Sequence, residues 1–279
     1  MSLHFRRLWP AFGAGFVGAY DPFAASLAHV YEPARRTLTT YVGDLCRLRR
    51  ASDDAELDWG YLANGDLDVA GITAWAGGAS YVVSIYDQVA GDTITQAAKV
   101  NQPLFVASAQ NGHAGELFDG TNDYLQGTYT VGGALSQPFN IFMIAQLDAT
   151  VINNNVNIYI TDGSTAPVRA ILGKVGAPNP DEIFIFAGGF LNDGAADANW
   201  NLWSALFNGI ASQLWINAIS AVIGDASTLD PVGLTLGSEF SGATNFKGNI
   251  TSLIVCDPSL SAADRAAMQT AINAYWAVY

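Results

Sequence analysis

One short stretch carries the densest oxygen chemistry of the chain. In Asp119-Gly120-Thr121-Asn122-Asp123 the side chains of Asp119, Asn122 and Asp123 stand at a spacing suited to Ca²⁺. The further acid and fixed glycine of a helix-loop-helix calcium loop are missing, and turn chemistry explains the same residues. Asp87, between Tyr86 and Gln88 at the end of an apolar run, has two uses: to bind a sugar hydroxyl, or to organise the loop that follows through its backbone. Trp200, Trp203, Trp215, Tyr159 and Phe190 are the side chains that stack on sugar faces, and equally those that fill a core. Trp200 lies in a polar loop without strand pattern, which favours exposure. His4, His29 and His113 are scattered, and no Cys/His cluster of zinc-site spacing occurs. Gly13-Ala14-Gly15 and Gly77-Gly78 are not followed by the residues of a phosphate-binding loop and read as turns. Cys46 and Cys256 are too few for a disulfide scaffold, and spacing does not decide whether they pair.

The elements that must position these groups are mostly strands. Of the 279 residues 50% are hydrophobic and only 13% charged, so the surface is covered by uncharged polar groups. No apolar run approaches the roughly 20 residues of a membrane span, so no membrane insertion is expected. The net charge of −13 is uneven: residues 1–50 carry seven Arg against three acids, and 51–279 carry a charge of −17. A body that acidic repels phosphate backbones, which argues against nucleic acid. Short runs of strand character recur between turn clusters at 46–50, 55–61, 81–86, 104–107, 116–118, 124–129, 139–146, 157–160, 169–173, 183–186, 201–207, 209–216, 233–236 and 247–255. That spacing predicts an all-β sandwich or barrel. Helices are predicted over 24–41, interrupted by Pro33, over 68–75, and from Ser261 to about Ala277, where the Ser261 hydroxyl and Asp264 suit a helix start. The expected organisation is an N-terminal arm, 1–23, for attachment or oligomerisation, and a single domain, 24–279.

Three groups of residues carry a resemblance. The first is Ala34-Arg35-Arg36-Thr37-Leu38 with Cys46-Arg47-Leu48-Arg49-Arg50 and Asn64-Gly65-Asp66; the second is Tyr86-Asp87-Gln88 with Thr95-Gln96-Ala97 and Gln102-Pro103. The third is Phe118-Asp119-Gly120 with Leu236-Gly237-Ser238-Glu239 and Asn245-Phe246-Lys247-Gly248. Over roughly residues 25–279 the chain resembles the catalytic domain of the α-L-arabinofuranosidase B family. That resemblance implies a concanavalin-like jelly-roll β-sandwich with a few short helices and a C-terminal helix, in a carbohydrate context. It places Glu239 where the family carries its acid/base carboxylate, while the stretch matching the family's nucleophile, 183–190, holds no carboxylate and has Gly188 in its midst. The neighbouring cysteines that line the family's sugar pocket are also missing from 158–163; Asp162, Asp181, Glu182 and Asp193 are the acids nearby.

With one carboxylate of two, the leading expectation is a non-catalytic, carbohydrate-binding structural or adhesion component of a bacteriophage or phage-like particle. Its site residues would be Asp87, Asp162, Trp200, Glu239 and Asn245, facing a cell-surface polysaccharide. The arm would meet other virion proteins, the chain would form a homo-oligomer, and its place would be the virion or particle surface, since no convincing secretion signal is read. No cofactor is expected, with Ca²⁺ at Asp119, Asn122 and Asp123 the metal candidate. Two alternatives stand beside it: an active arabinofuranosidase-like glycoside hydrolase with Glu239 as acid/base, and a purely structural virion assembly protein.

Overall fold

A computed structural model describes residues 16–131, 133–152, 156–163, 170–176 and 182–279. In chain order the strands are β1 (Leu27–Tyr31), β2 (Cys46–Arg50), β3 (Glu56–Trp59), β4 (Ser80–Tyr86), β5 (Thr93–Thr95), β6 (Leu104–Gln110), β7 (His113–Asp119), β8 (Leu125–Thr128) and β9 (Phe139–Leu147). They continue as β10 (Asn157–Thr161), β11 (Ile171–Lys174), β12 (Glu182–Phe186), β13 (Phe190–Ala195), β14 (Trp200–Phe207), β15 (Ser212–Ile216), β16 (Ile219–Gly224), β17 (Gly233–Leu236) and β18 (Lys247–Cys256). Two helices, α1 (Val69–Ala76) and α2 (Ala262–Trp276), complete the set together with short 3-10 turns.

Every described pairing is antiparallel. One layer runs β18–β9–β14–β15–β16, with β1 and β7 sharing the far edge of β18. The other runs β3–β2–β4–β5–β8–β17–β10–β11–β12–β13. Strand β6 pairs with β4 and with β7, so the hydrogen-bonded ladder passes from one layer into the other.

Alternation along the strands decides what each layer encloses. In β9, Ile141, Met143 and Ala145 face the main core between the layers, beside Trp59, Tyr159, Trp203 and Phe246. The intervening Phe142 and Ile144 face outward, yet they are buried too, because Met268, Ile272 and Trp276 of α2 cover them. Burial on both faces explains why residues 141–145 of β9 read as an unbroken apolar run. The two α-helices start as their sequences predict: Asp68 Oδ1 accepts from Gly71 N at 2.9 Å and Ser261 Oγ from Asp264 N at 3.1 Å. Among the described residues no helix is long and apolar enough to cross a membrane.

The helix expected over 24–41 does not form. Asp21–Ser26 is a 3-10 turn, and Leu27–Tyr31 is strand β1, paired along Cys256–Leu253. Tertiary pairing overrides the weak helical periodicity here, and Pro33 breaks any helix that would run through it. Of the arm expected over 1–23, residues 1–15 lie outside the described residues; Tyr20 and Phe23 are buried in the cluster beneath α2. Cys46 lies in the main core and Cys256 under α2, both unpaired, and burial pushes both thiols up.

One core group is out of character with its surroundings. Glu116 of β7 shares the core-facing side of the strand with Ala114 and Phe118, is 1% exposed, and its Oε1 has no hydrogen-bond partner among the described residues. Burial pushes its acid up to about 8, so it is largely protonated at neutral pH.

Candidate functional site

Strand pairing lays out the chemistry in rows, because residues opposite each other on neighbouring strands share a face. On the outer face of the second layer one polar row runs Asp58, Arg47, Ser84, Thr95, Gln126, Thr235, Thr161 across seven strands. Its members are bonded along the row: Arg47 makes a two-pronged pair with Asp58, 2.8 Å on each prong, Ser84 and Thr95 meet at 2.9 Å, and Gln126 Nε2 donates to Thr235 Oγ1 at 2.8 Å. Gln126 Nε2 also donates to the Phe240 carbonyl at 2.9 Å, which ties the row to the loop between β17 and β18.

That loop presents Glu239 half-exposed. The Ser241 hydroxyl donates to Glu239 Oε1 at 2.6 Å, and the loop is closed by Glu239 N to Thr244 O and Gly242 N to Glu239 O. It touches the loop after β7: Asn245 Nδ2 donates to Thr121 O at 2.7 Å. Asn245 Oδ1 is buried without a partner among the described residues and belongs to a residue lining a cavity of about 380 Å³, walled also by Gly120, Thr121, Asn157, Thr244 and Lys247. On the other side of the same loop lies a cleft of about 620 Å³, lined by Arg49, Tyr81, Lys99, Gln102, Leu104, Leu117, Asp119 and Asp123 among others. The loop after β7 thus separates two cavities. Burial pushes the Asp123 acid up to about 7, against the lowering effect of the Asp119 N–H that its Oδ2 accepts at 3.0 Å.

The structure therefore gathers Asp119, Asn122, Asp123, Glu239 and Asn245 around one rim and leaves the others elsewhere. Asp87 is buried and fully committed: it accepts from the backbone N–H groups of Val30, Val89 and Ala90 and bonds His29 Nδ1 at 2.9 Å. Gln88 beside it accepts from Thr37 N and Oγ1 and donates to the carbonyls of Glu32 and Arg35. Gln96 and Gln102 likewise brace their loop, through Ala98 N and the Gln96 carbonyl. The residues carrying the family resemblance are thus largely struts.

Asp162 is buried as well, its Oδ1 accepting from Gly163, Val232 and Gly233. Thr161 lies opposite Thr235, so Asp162 stands beside the start of β17, whereas Glu239 lies in the loop beyond its end. Trp200 is half-buried at the edge of the cluster under α2. Tyr159 and Trp203 are core residues, and Trp215 lies beneath the Arg265 guanidinium at 3.9 Å. Phe190 is 66% exposed, beside Phe184 and Phe186.

The calcium reading of Asp119, Asn122 and Asp123 does not gain a site: Asp119 Oδ1 and Asp123 Oδ2 accept the loop's own N–H groups, and no group of three metal-holding side chains occurs among the described residues. Gly188, which the sequence resemblance sets against the family's attacking acid, turns between β12 and β13 with φ +111°. A Cβ there would stand 2.9 Å from Ser227 Oγ. Asp181 lies outside the described residues, as does the Asp193 side chain. Glu182 bonds Asn192 across the β12–β13 pair.

What sequence reasoning missed is the cleft. Arg49, Tyr81, Leu104 and Leu117 come from four strands, and only the non-local pairing joins them; the alternation in Cys46–Arg50, which turns Arg49 to the same face as Arg47, was the one available signal.

No family model matches the chain, and no curated protein matches it. Solved structures do. An arabinofuranosidase complexed with arabinofuranosyl-α-1,2-xylobiose shares the backbone with a TM-score of 0.74 over 93% of this chain at 15% identity. The fold is an arabinofuranosidase-like β-sandwich. A GH54 α-L-arabinofuranosidase soaked with a cyclic sulfate inhibitor matches with a TM-score of 0.72 over 92% of this chain at 14% identity. A variant of a GH54 α-L-arabinofuranosidase soaked with 4-nitrophenyl α-L-arabinofuranoside gives 0.70 over 92% at 15% identity. This chain spans 65%, 64% and 64% of those three chains. These matches correct the leading expectation of a non-catalytic adhesion component of a phage particle: the backbone is shared with solved arabinofuranosidases, the class of protein that the alternative reading names.

Proposed function

We propose that the chain is a glycoside hydrolase of the arabinofuranosidase kind, with Glu239 as the group that exchanges a proton with the glycosidic oxygen. The carrying observation is the backbone match over 93% of the chain, joined to the placement of Glu239 on a loop that is fixed at both sides. One carboxylate oxygen is held by Ser241 and the other has no protein partner among the described residues, as a group that must meet substrate requires.

Position 188 shapes the chemistry. A glycosyl–enzyme ester needs a carboxylate on the ring face opposite the acid, and Gly188 supplies none. The reaction consistent with this chain is a single displacement: water attacks the anomeric carbon and releases a proton to solvent, the C–O bond to the leaving group breaks, and Glu239 gives its proton to the departing oxygen and is reprotonated from solvent. Incubation with 4-nitrophenyl α-L-arabinofuranoside tests the reading. Turnover by the native chain, with hydrolysis of methyl α-L-arabinofuranoside, whose departing oxygen needs a proton, falling about a hundredfold or more in Glu239→Gln, supports it; no turnover, or hydrolysis of the methyl glycoside indifferent to that substitution, overturns it.

A further inference from the structure

The cleft beside the β7–β8 loop has a floor built by register alone. Arg49 stands opposite Tyr81, Tyr81 opposite Leu104, and Leu104 opposite Leu117. The same row continues through Asn249 and Gln146 to Trp200. Six strand-to-strand steps give it a contour of about 29 Å, which follows the ladder from the second layer into the first. From Tyr81 to Trp200 every member is half-exposed, with an aromatic ring at each end and aliphatic and amide groups between.

The polar walls narrow the choice of ligand. Asp54 pairs with both cations, Arg49 Nη1 and Lys99 Nζ, at 2.8 Å each, which offsets the attraction they offer a phosphate or carboxylate. Asp119 Oδ2 and Asp123 Oδ1 have no partner among the described residues and repel anions, yet they accept hydroxyl protons well. Val100, 76% exposed, joins Tyr81, Leu104 and Leu117 as apolar lining. A ligand that offers hydroxyl donors on its rim and C–H surface on its face, and no charge, satisfies all of these at once.

We infer that this cleft is a subsite for an uncharged oligosaccharide chain, laid across the strands from Tyr81 toward Trp200; the inference rests on the glycoside-hydrolase reading and gives that reading a polymeric substrate.

Nitrogen–proton NMR titration of the full chain with xylotetraose, arabinotetraose and cellotetraose, beside a heparin tetrasaccharide, tests it. At least one neutral tetraose is expected to shift the signals of Tyr81, Val100, Leu104, Leu117 and Asp123, while heparin does not. Tyr81→Ala should weaken that binding about tenfold, and Val100→Asp, at an exposed position that folding does not depend on, should do the same. Both should leave hydrolysis of the aryl arabinofuranoside unchanged. Absence of shifts in the cleft with every neutral tetraose, preference for heparin, or full affinity in both variants overturns the subsite. Cleft binding without aryl-glycoside turnover overturns the hydrolase reading instead, so the two failures are told apart.

Discussion

Replacing Glu116 by Gln should flatten the stability of this protein against pH. In the folded chain the Glu116 acid is pushed up to about 8 by burial, against 4.5 for an ordinary glutamate. Between those two values the folded state keeps a proton that the unfolded state has released, so stability falls as pH rises through the window and levels off above it. A difference of that size corresponds to about 5 kcal/mol at 1.36 kcal/mol per pH unit. The orphaned Oε1 and the apolar neighbours Ala114 and Phe118 are the physical source of the penalty. Glutamine has nearly the same shape and does not titrate, so the native-minus-variant difference in unfolding free energy isolates this one group. Urea unfolding followed by tryptophan fluorescence, at several pH values from about 4.5 to about 8.5, should show that difference drifting against the native chain by several kcal/mol. Parallel curves for the two proteins across the window would refute the argument and place a counter-charge or water beside Glu116.

The absence of a carboxylate at 188 makes a stereochemical prediction: proton NMR of the sugar first released from an arabinofuranoside should show inverted configuration, whereas retention would reveal a displaced nucleophile. Gly188→Glu should not raise turnover and should lower the thermal midpoint, since φ +111° and the 2.9 Å approach to Ser227 Oγ cost about 1–3 kcal/mol; an unchanged midpoint in calorimetry counts against it. Gln88→Ala removes four hydrogen bonds that clamp the segment after β1, and a loss of roughly 2–4 kcal/mol is expected in denaturant titration. If the midpoint stays where it was, Gln88 is not the strut described above.

Much of the architecture could be read before any coordinates. Strand alternation, the turn clusters between runs, and the Ser261 start of α2 are local signals, and local hydrogen bonding and burial enforce them. The error over 24–41 has the opposite cause: its apolar spacing was compatible with a helix, and the choice fell to β18, more than two hundred residues away in the chain. Sugar-binding roles for Asp87 and Asp162 failed to appear for a related reason. A carboxylate that braces a loop and one that meets a ligand look alike in a sequence, and only the count of N–H groups converging on Asp87 and Asp162 separates them.

Residue types alone determined the alternation that makes a two-layer β body, the low surface charge, and the lack of an acid at 188, because each is a property of neighbouring residues or of composition. Tertiary structure decided which faces became core, why a side chain at Gly188 would be strained, and how Arg49, Tyr81, Leu104 and Leu117 line one cleft. Those outcomes depend on register between strands distant in the chain, and a shift of one residue would send every side chain to the opposite face.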